Sequence, residues 1–197
     1  MKKIIAIEAQ RLFRSKKHGM EIVALEILKH LKNAAGNDFI YQVVVKEDVD
    51  ECITSSSNFT VAQLPAKAYP IWEQILLPSF IKKLNAALLH CCSNTAPLFC
   101  KTPMVVTIHD VIYMQAGGFK GSAYQNFGNL YRRWIVPKAA KKAKAIISVS
   151  EFAKKEIVAA LNVQANKVHV VYNGLNAIYR PCTDIQKSVA FRTEYKL

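Results

Sequence analysis

The sequence lacks the short signatures of several common enzyme classes. Its seven glycines never fall into GxGxxG, so the dinucleotide-binding fingerprint of an oxidoreductase is missing. No Walker loop, GxSxG elbow or HExxH occurs, which leaves ATPase, serine-hydrolase and zincin readings without support. The five cysteines are odd in number and no two are spaced CxxC, so neither a disulfide framework nor a zinc site is expected. Cys91 and Cys92 are adjacent, and neighbours on a strand point to opposite faces, which keeps them from sharing one ion. Reduced, buried thiols are the expectation. No apolar run approaches the roughly 18 residues of a membrane span. The apolar start, Ile4 to Ala9, is cut short by Arg11 and Arg14 and carries no small-residue cleavage site. A soluble, cytoplasmic, non-exported protein is expected, in which the sequon Asn58-Phe59-Thr60 has no role.

Acidic residues are also scarce: 14 against 27 lysines and arginines, a net charge of +13 over 197 residues. That balance favours anionic partners, whether phosphorylated small molecules, a membrane surface or nucleic acid. The apolar content is ample for a folded core, 51% of residues, and excludes a disordered chain.

Short apolar runs alternate with helical patterns. Strands are expected at Lys3–Ala9, Phe39–Lys46, Phe59–Leu64, Ala86–Cys91, Met104–Ile108, Ala145–Val149 and Val168–Val171. Met20, Val23, Ala24, Ile27, Leu28 and Leu31 form one face of a helix, with Glu21, Lys29 and Lys32 outside it and Glu26 and His30 an i, i+4 pair. A second helix starts at Pro70 and runs through Ile71, Trp72, Ile75, Leu76, Phe80 and Leu84, with Pro78 kinking or dividing it. A glycine-rich loop, Gly117–Ser122, leads into a long helix over Ala123–Ala143, and Ser150 caps a helix over Glu151–Leu161. The alternation predicts an α/β fold: a Rossmann-like parallel sheet of about seven strands with helices on both faces. Ligands of such sheets sit at the carboxyl ends of the strands.

Candidate residues gather at those ends. Gly19 opens the first helix, where it either lets a phosphate approach the helix N-terminus or simply makes a turn. His109-Asp110 closes the fifth strand. It suits sugar or phosphate hydrogen bonding or proton transfer, and equally a histidine satisfied by backbone with an aspartate capping the next turn. Ser93-Asn94-Thr95 follows the fourth strand and suits a polyhydroxyl ligand or a turn. Between Val111 and Ser150 lie seven basic residues and no acid, mostly on the long helix beside Tyr131, Trp134 and Ile135. Such a face is solvated or docks on an anionic bilayer; no nucleic-acid module is present, and no nucleic-acid partner is expected.

The segments IAIEAQRLFRSKKHG, LHCCSNTAP, VVTIHDVIY, NLYRRWIVPKAAKKAKAIISVSEFAKKEIV and KVHVVYNGLNAIYRP, in this order, resemble the amino-terminal half of family-4 glycosyltransferases, retaining enzymes of the GT-B fold. The resemblance runs from Lys3 to Pro181 and implies one half of a GT-B fold over residues 1–181. Residues 182–197 are then a linker and the start of a carboxy-terminal donor domain beyond Leu197. It implies transfer of a hexosyl unit, such as mannosyl or glucosyl, from a nucleotide-sugar to a glycan or lipid-linked acceptor, without a resident cofactor or metal. By resemblance Gly19 approaches the donor diphosphate, although many members carry two glycines in that loop. His109, with Asp110 beside it, meets the donor sugar as the catalytic pair. Ser93, Asn94, Thr95 and the Gly117–Ser122 loop border the acceptor. The half represented by this chain is expected to be inactive alone and to work at the inner face of a membrane. The alternative is a non-catalytic α/β domain that binds an anionic or membrane surface.

Overall fold

The computed structural model describes residues 2–34, 36–65, 68–114, 123–174, 176 and 179–196. The expected Gly117–Ser122 loop lies outside them. Seven strands form one sheet: β1 (Lys3–Glu8), β2 (Phe39–Lys46), β3 (Phe59–Leu64), β4 (Leu88–Cys91), β5 (Met104–Ile108), β6 (Ala145–Ser148) and β7 (Val168–Val170). Their order is β3-β2-β1-β4-β5-β6-β7 and every pairing is parallel. The chain therefore moves outward from β1 to β3, crosses back over the sheet, and continues from β4 in the other direction. The reversal falls between β1 and β4, where Glu8 pairs in register with Cys91.

Alternation along the strands divides the core. Ala6, Val44 and Cys91 join one apolar cluster; Ile7, Val43, Val45 and Cys92 join the other. The adjacent cysteines thus sit in different layers, both buried and both free thiols. Helix α1 (Gly19–Ala34) packs Ala24 and Leu28 into the second cluster. Helices α3 (Leu77–Leu84), α4 (Ala123–Lys142) and α5 (Glu151–Leu161) pack into the first through Ile81, Ile135 and Ile157. Ser150 caps α5, its Oγ accepting from Ala153 N at 3.0 Å. A last helix, α6 (Ile185–Tyr195), has no buried residue.

Two expected helices are corrected. On α1 Glu21 is buried and Ile27 is exposed. The carboxylate is drawn in because it accepts from His18 N at 2.5 Å and faces Arg14 at 3.7 Å, a capping arrangement at the helix start. Glu26 pairs with Lys29 at 3.0 Å instead of His30. The second helix is not one α-helix. After a single turn, α2 (Tyr69–Ile71), the backbone widens into a π-helical stretch over Trp72–Leu76 before α3 begins. Leu77 N bonds Trp72 O, five residues back, and Pro78 follows with no N–H to give. The buried apolar series accordingly runs Trp72, Leu77, Ile81, while Ile75 is 61% exposed.

That register is open to a direct check. Trp72 is fully buried and its Nε1 donates to Leu64 O at 3.1 Å. Trp72→Ala is expected to cost about 3–5 kcal/mol in chemical denaturation. Ile75→Ala should cost under about 1 kcal/mol, as surface changes do. Comparable losses at the two positions would refute the π-helical register.

Candidate functional site

A cavity of about 340 Å³ opens at the carboxyl ends of β1 and β4. This is the topological switch point, where the crossovers leaving the two strands diverge and uncover a crevice. Glu8, Gln10 and Arg11 come to it from the end of β1, and Ser93 and Thr95 from the loop after β4. Tyr69 enters from α2, Met20 and Glu21 from the start of α1, and Phe127, Tyr131 and Arg132 from α4.

One wall is held together by a buried carboxylate. Glu73, on the π-helical stretch, is 1% exposed. Its Oε1 accepts from the Tyr69 hydroxyl at 2.8 Å and from Thr95 Oγ1. Its Oε2 accepts from Gln74 Nε2 at 2.8 Å and from the Tyr131 hydroxyl. Gln74 also donates to Tyr131 Oη at 2.9 Å and accepts from Leu98 N at 2.8 Å. The Tyr69 and Tyr131 rings meet edge to face, centroids 5.4 Å apart. Burial, followed by the nearby carboxylates, pushes the Tyr69 phenol well above its ordinary range, so it stays a donor.

Glu8 stands in a different environment. It is 2% exposed; Oε1 accepts from Gln10 N at 2.8 Å, while Oε2 has no partner. Desolvation, with a smaller push from Glu73, raises its carboxyl to about 7 against hydrogen bonds that pull it down. Gln10, 4% exposed, likewise leaves Oε1 without a partner. Arg11 lies over the Tyr69 ring, 5.0 Å from its centroid.

The residues singled out from the sequence are divided by the fold. Ser93 and Thr95 line the cavity. Asn94 does not; in left-handed conformation (φ 66°), it ties β4 to β5, its N donating to Thr107 O at 3.0 Å and its Oδ1 accepting from His109 N at 2.7 Å. His109 and Asp110 stand one strand away. His109 Nε2 donates to Cys92 O at 3.0 Å, and Asp110 Oδ1 accepts from Ile112 N at 3.2 Å. Gly19 is open: a Cβ there would meet nothing within 4 Å. Glu8, Glu73 and Tyr69 were missed. For Glu8 a signal existed, a carboxylate in an otherwise apolar strand at its carboxyl end; for Glu73 none did, because its burial follows from the π-helical register.

The raised carboxyl has a consequence for stability. The native chain holds the Glu8 proton up to about pH 7, the unfolded chain only to about 4.5. Between those values the native state binds more protons, so stability falls as pH rises. At about 1.4 kcal/mol per unit the full loss is about 3.5 kcal/mol. Glu8→Gln should therefore match wild type near pH 4.5 and exceed it by about that margin above pH 7, in denaturant titrations across the range. A constant difference at every pH would refute the raised carboxyl.

Known proteins share this frame. The profile of Glycosyltransferase Family 4 matches residues 18–177. No curated protein matches the sequence. Among solved structures the fold is similar to HepE from Anabaena in complex with UDP-glucose, with TM-score 0.56 and 16% identity over 98% of this chain and 50% of that one. It is also similar to a glycosyltransferase from Rickettsia africae, with TM-score 0.51 and 15% identity over 99% and 50%. The UDP complex of MnaA from S. aureus matches with TM-score 0.54 and 13% identity over 96% and 52%. The chain spans about half the length of these structures and corresponds to one half of a GT-B fold. With a parallel sheet, a cavity at its switch point and a profile match across most of its length, the chain belongs to glycosyltransferase family 4.

Proposed function

We propose that this chain is the acceptor-side part of a retaining hexosyltransferase, which moves a sugar from a nucleotide-sugar to a glycan or lipid-linked acceptor. The observation that carries the reading is the cavity at the β1–β4 switch point of a family-4 chain. UDP-glucose in the Anabaena neighbour makes a uridine donor the first to try. Gly19 would let the donor diphosphate close on the backbone: no neighbouring atom fills the space beside it. His109 would face the donor sugar. The Cys92 carbonyl can only accept, so Nε2 carries the proton and the ring is held in one orientation. Residues beyond 181 would lead to a donor domain, and domain closure would exclude water. The part represented here would then have little activity alone.

A second observation supports peripheral docking on a membrane. Phe127, Leu130 and Trp134 recur at helical spacing on α4 and are all exposed. Lys138 Nζ lies 3.5 Å from the Trp134 ring centroid, and Lys141 and Lys142 follow in the last turn. Aromatic side chains flanked by lysines suit the headgroup layer of an anionic bilayer. Among the described residues no helix is long and apolar enough to cross a membrane, so contact through α4 would be peripheral.

Two measurements test these readings. In the complete two-domain enzyme His109→Ala should lower turnover of a nucleotide-sugar tenfold or more, about 1.4 kcal/mol in the barrier; unchanged turnover would remove His109 from the mechanism. In co-sedimentation the chain should bind phosphatidylglycerol-containing vesicles and release them at high salt. Equal binding to purely zwitterionic vesicles would sink the electrostatic docking.

A further inference from the structure

We infer that Asn94 is a positioning residue for His109: it holds the His109 backbone and, through the loop it shapes, the orientation of the imidazole ring. The transferase reading enters only for what that ring does once it is held. The first observation is a backbone conformation. Among the described residues four non-glycine residues have positive φ: Asn85, Asn94, Asn162 and Lys196. Asn85, Asn162 and Lys196 end α3, α5 and α6, where a left-handed residue is an ordinary helix cap. Asn94 ends no helix. It follows β4, is 2% exposed and has φ at 66°. A left-handed residue of this kind persists where its surroundings over-determine it.

The surroundings that do so belong to β5. The β4–β5 register ends at Cys91 opposite Val106, and beyond it the two chains need other partners. Asn94 supplies two: its N donates to Thr107 O at 3.0 Å, and its Oδ1 accepts from His109 N at 2.7 Å. Asparagine and aspartate combine tolerance of a left-handed backbone with a short side-chain acceptor, whereas glycine has the backbone alone. The ring is held from the same loop, His109 Nε2 donating to Cys92 O at 3.0 Å. Two residues of one loop thus grip one histidine, at its amide and at its ring. A turn after β4 could close without a bond to the imidazole. Because the carbonyl only accepts, the neutral ring carries its proton on Nε2 and keeps a lone pair on Nδ1. The loop is fixed on its other side as well: Thr95, which lines the cavity, donates through Oγ1 to the buried Glu73. Ser93 and Thr95 therefore face the cavity, and Asn94 between them ties His109 to the same wall.

The test uses the 197-residue chain. Long-range proton–nitrogen NMR at about pH 8.5, where imidazole is neutral, reads which His109 nitrogen carries the proton. Amide hydrogen exchange reads its backbone. In the wild type the ring should be protonated on Nε2; a ring protonated on Nδ1 overturns the inference without any variant. Asn94→Gly keeps the left-handed backbone and removes the acceptor. It should mix the two tautomers and speed exchange of the His109 amide about tenfold or more. The Leu89 amide, which donates to Pro103 O, should keep its wild-type rate. Asn94→Asp restores an acceptor and should return both His109 signals toward wild type. Unchanged His109 signals in Asn94→Gly overturn the inference. Equal acceleration at Leu89 also overturns it, because that marks a general loss of stability. Turnover is measured in the complete two-domain enzyme. There Asn94→Gly should lower kcat about tenfold, with no further loss when it is added to His109→Ala. Additive losses overturn the inference. A changed NMR signature with unchanged kcat leaves the positioning standing and removes His109 from the transfer reaction.

Discussion

The carboxylate of Glu73 is the point on which the site's geometry depends. A buried carboxylate is costly unless donors surround it, several kcal/mol per ion after relaxation. Here the donors come from three separate stretches of chain: Tyr69 and Gln74 beside it, Thr95 after β4, and Tyr131 on α4. Satisfying one anion therefore fixes the positions of three elements relative to each other. The π-helical stretch is part of the same arrangement. It carries Glu73 into the interior while Trp72 and Leu77 fill the core on either side. An unbroken α-helix would set Trp72 and Leu77 about 140° apart, since each residue turns the chain by about 100°.

The two buried carboxylates of the cavity show how environment divides one chemistry into two roles. Glu73 uses both oxygens internally and behaves as structure. Glu8 is met only by backbone donors, and burial holds its carboxyl near 7. Those hydrogen bonds and the Arg11 charge offset part of the desolvation cost. A third carboxylate, Glu21, sits at the start of α1 and accepts from His18 N. It takes for itself one of the amide groups that a helix N-terminus could offer an anion. The open space at Gly19 is thus bordered by an acid, and a diphosphate approaching there would have to meet Arg14, which already faces Glu21, or other groups outside the helix end.

Much of the architecture was legible in the sequence because buried parallel strands are rich in short apolar runs, and a strand is present in each of the seven expected segments. The alternation of strands and helices implied a parallel sheet, but it did not give the strand order. The site lies where the order reverses, between β1 and β4, a property of topology and not of any local pattern. Hence Ser93 and Thr95, which follow β4, fall in the cavity, while His109 and Asp110, equally polar and equally placed after a strand, fall beside it. The helix faces failed for another reason. Periodicity assumes 3.6 residues per turn and an acid turned outward. Glu21 and Glu73 break the second assumption by finding donors inside, and the π-helical stretch breaks the first.

Net charge and cavity lining act over different distances. The excess of +13 belongs to the whole chain, and a run of it lies on α4. It acts over distances comparable with the screening length, about 8–10 Å in ordinary salt. That field favours anything negative near the rim, where Arg11 and Arg132 stand. The floor is set by contact distances, where Glu8, Gln10, Ser93 and Thr95 line the cavity and the buried Glu73 holds its wall together.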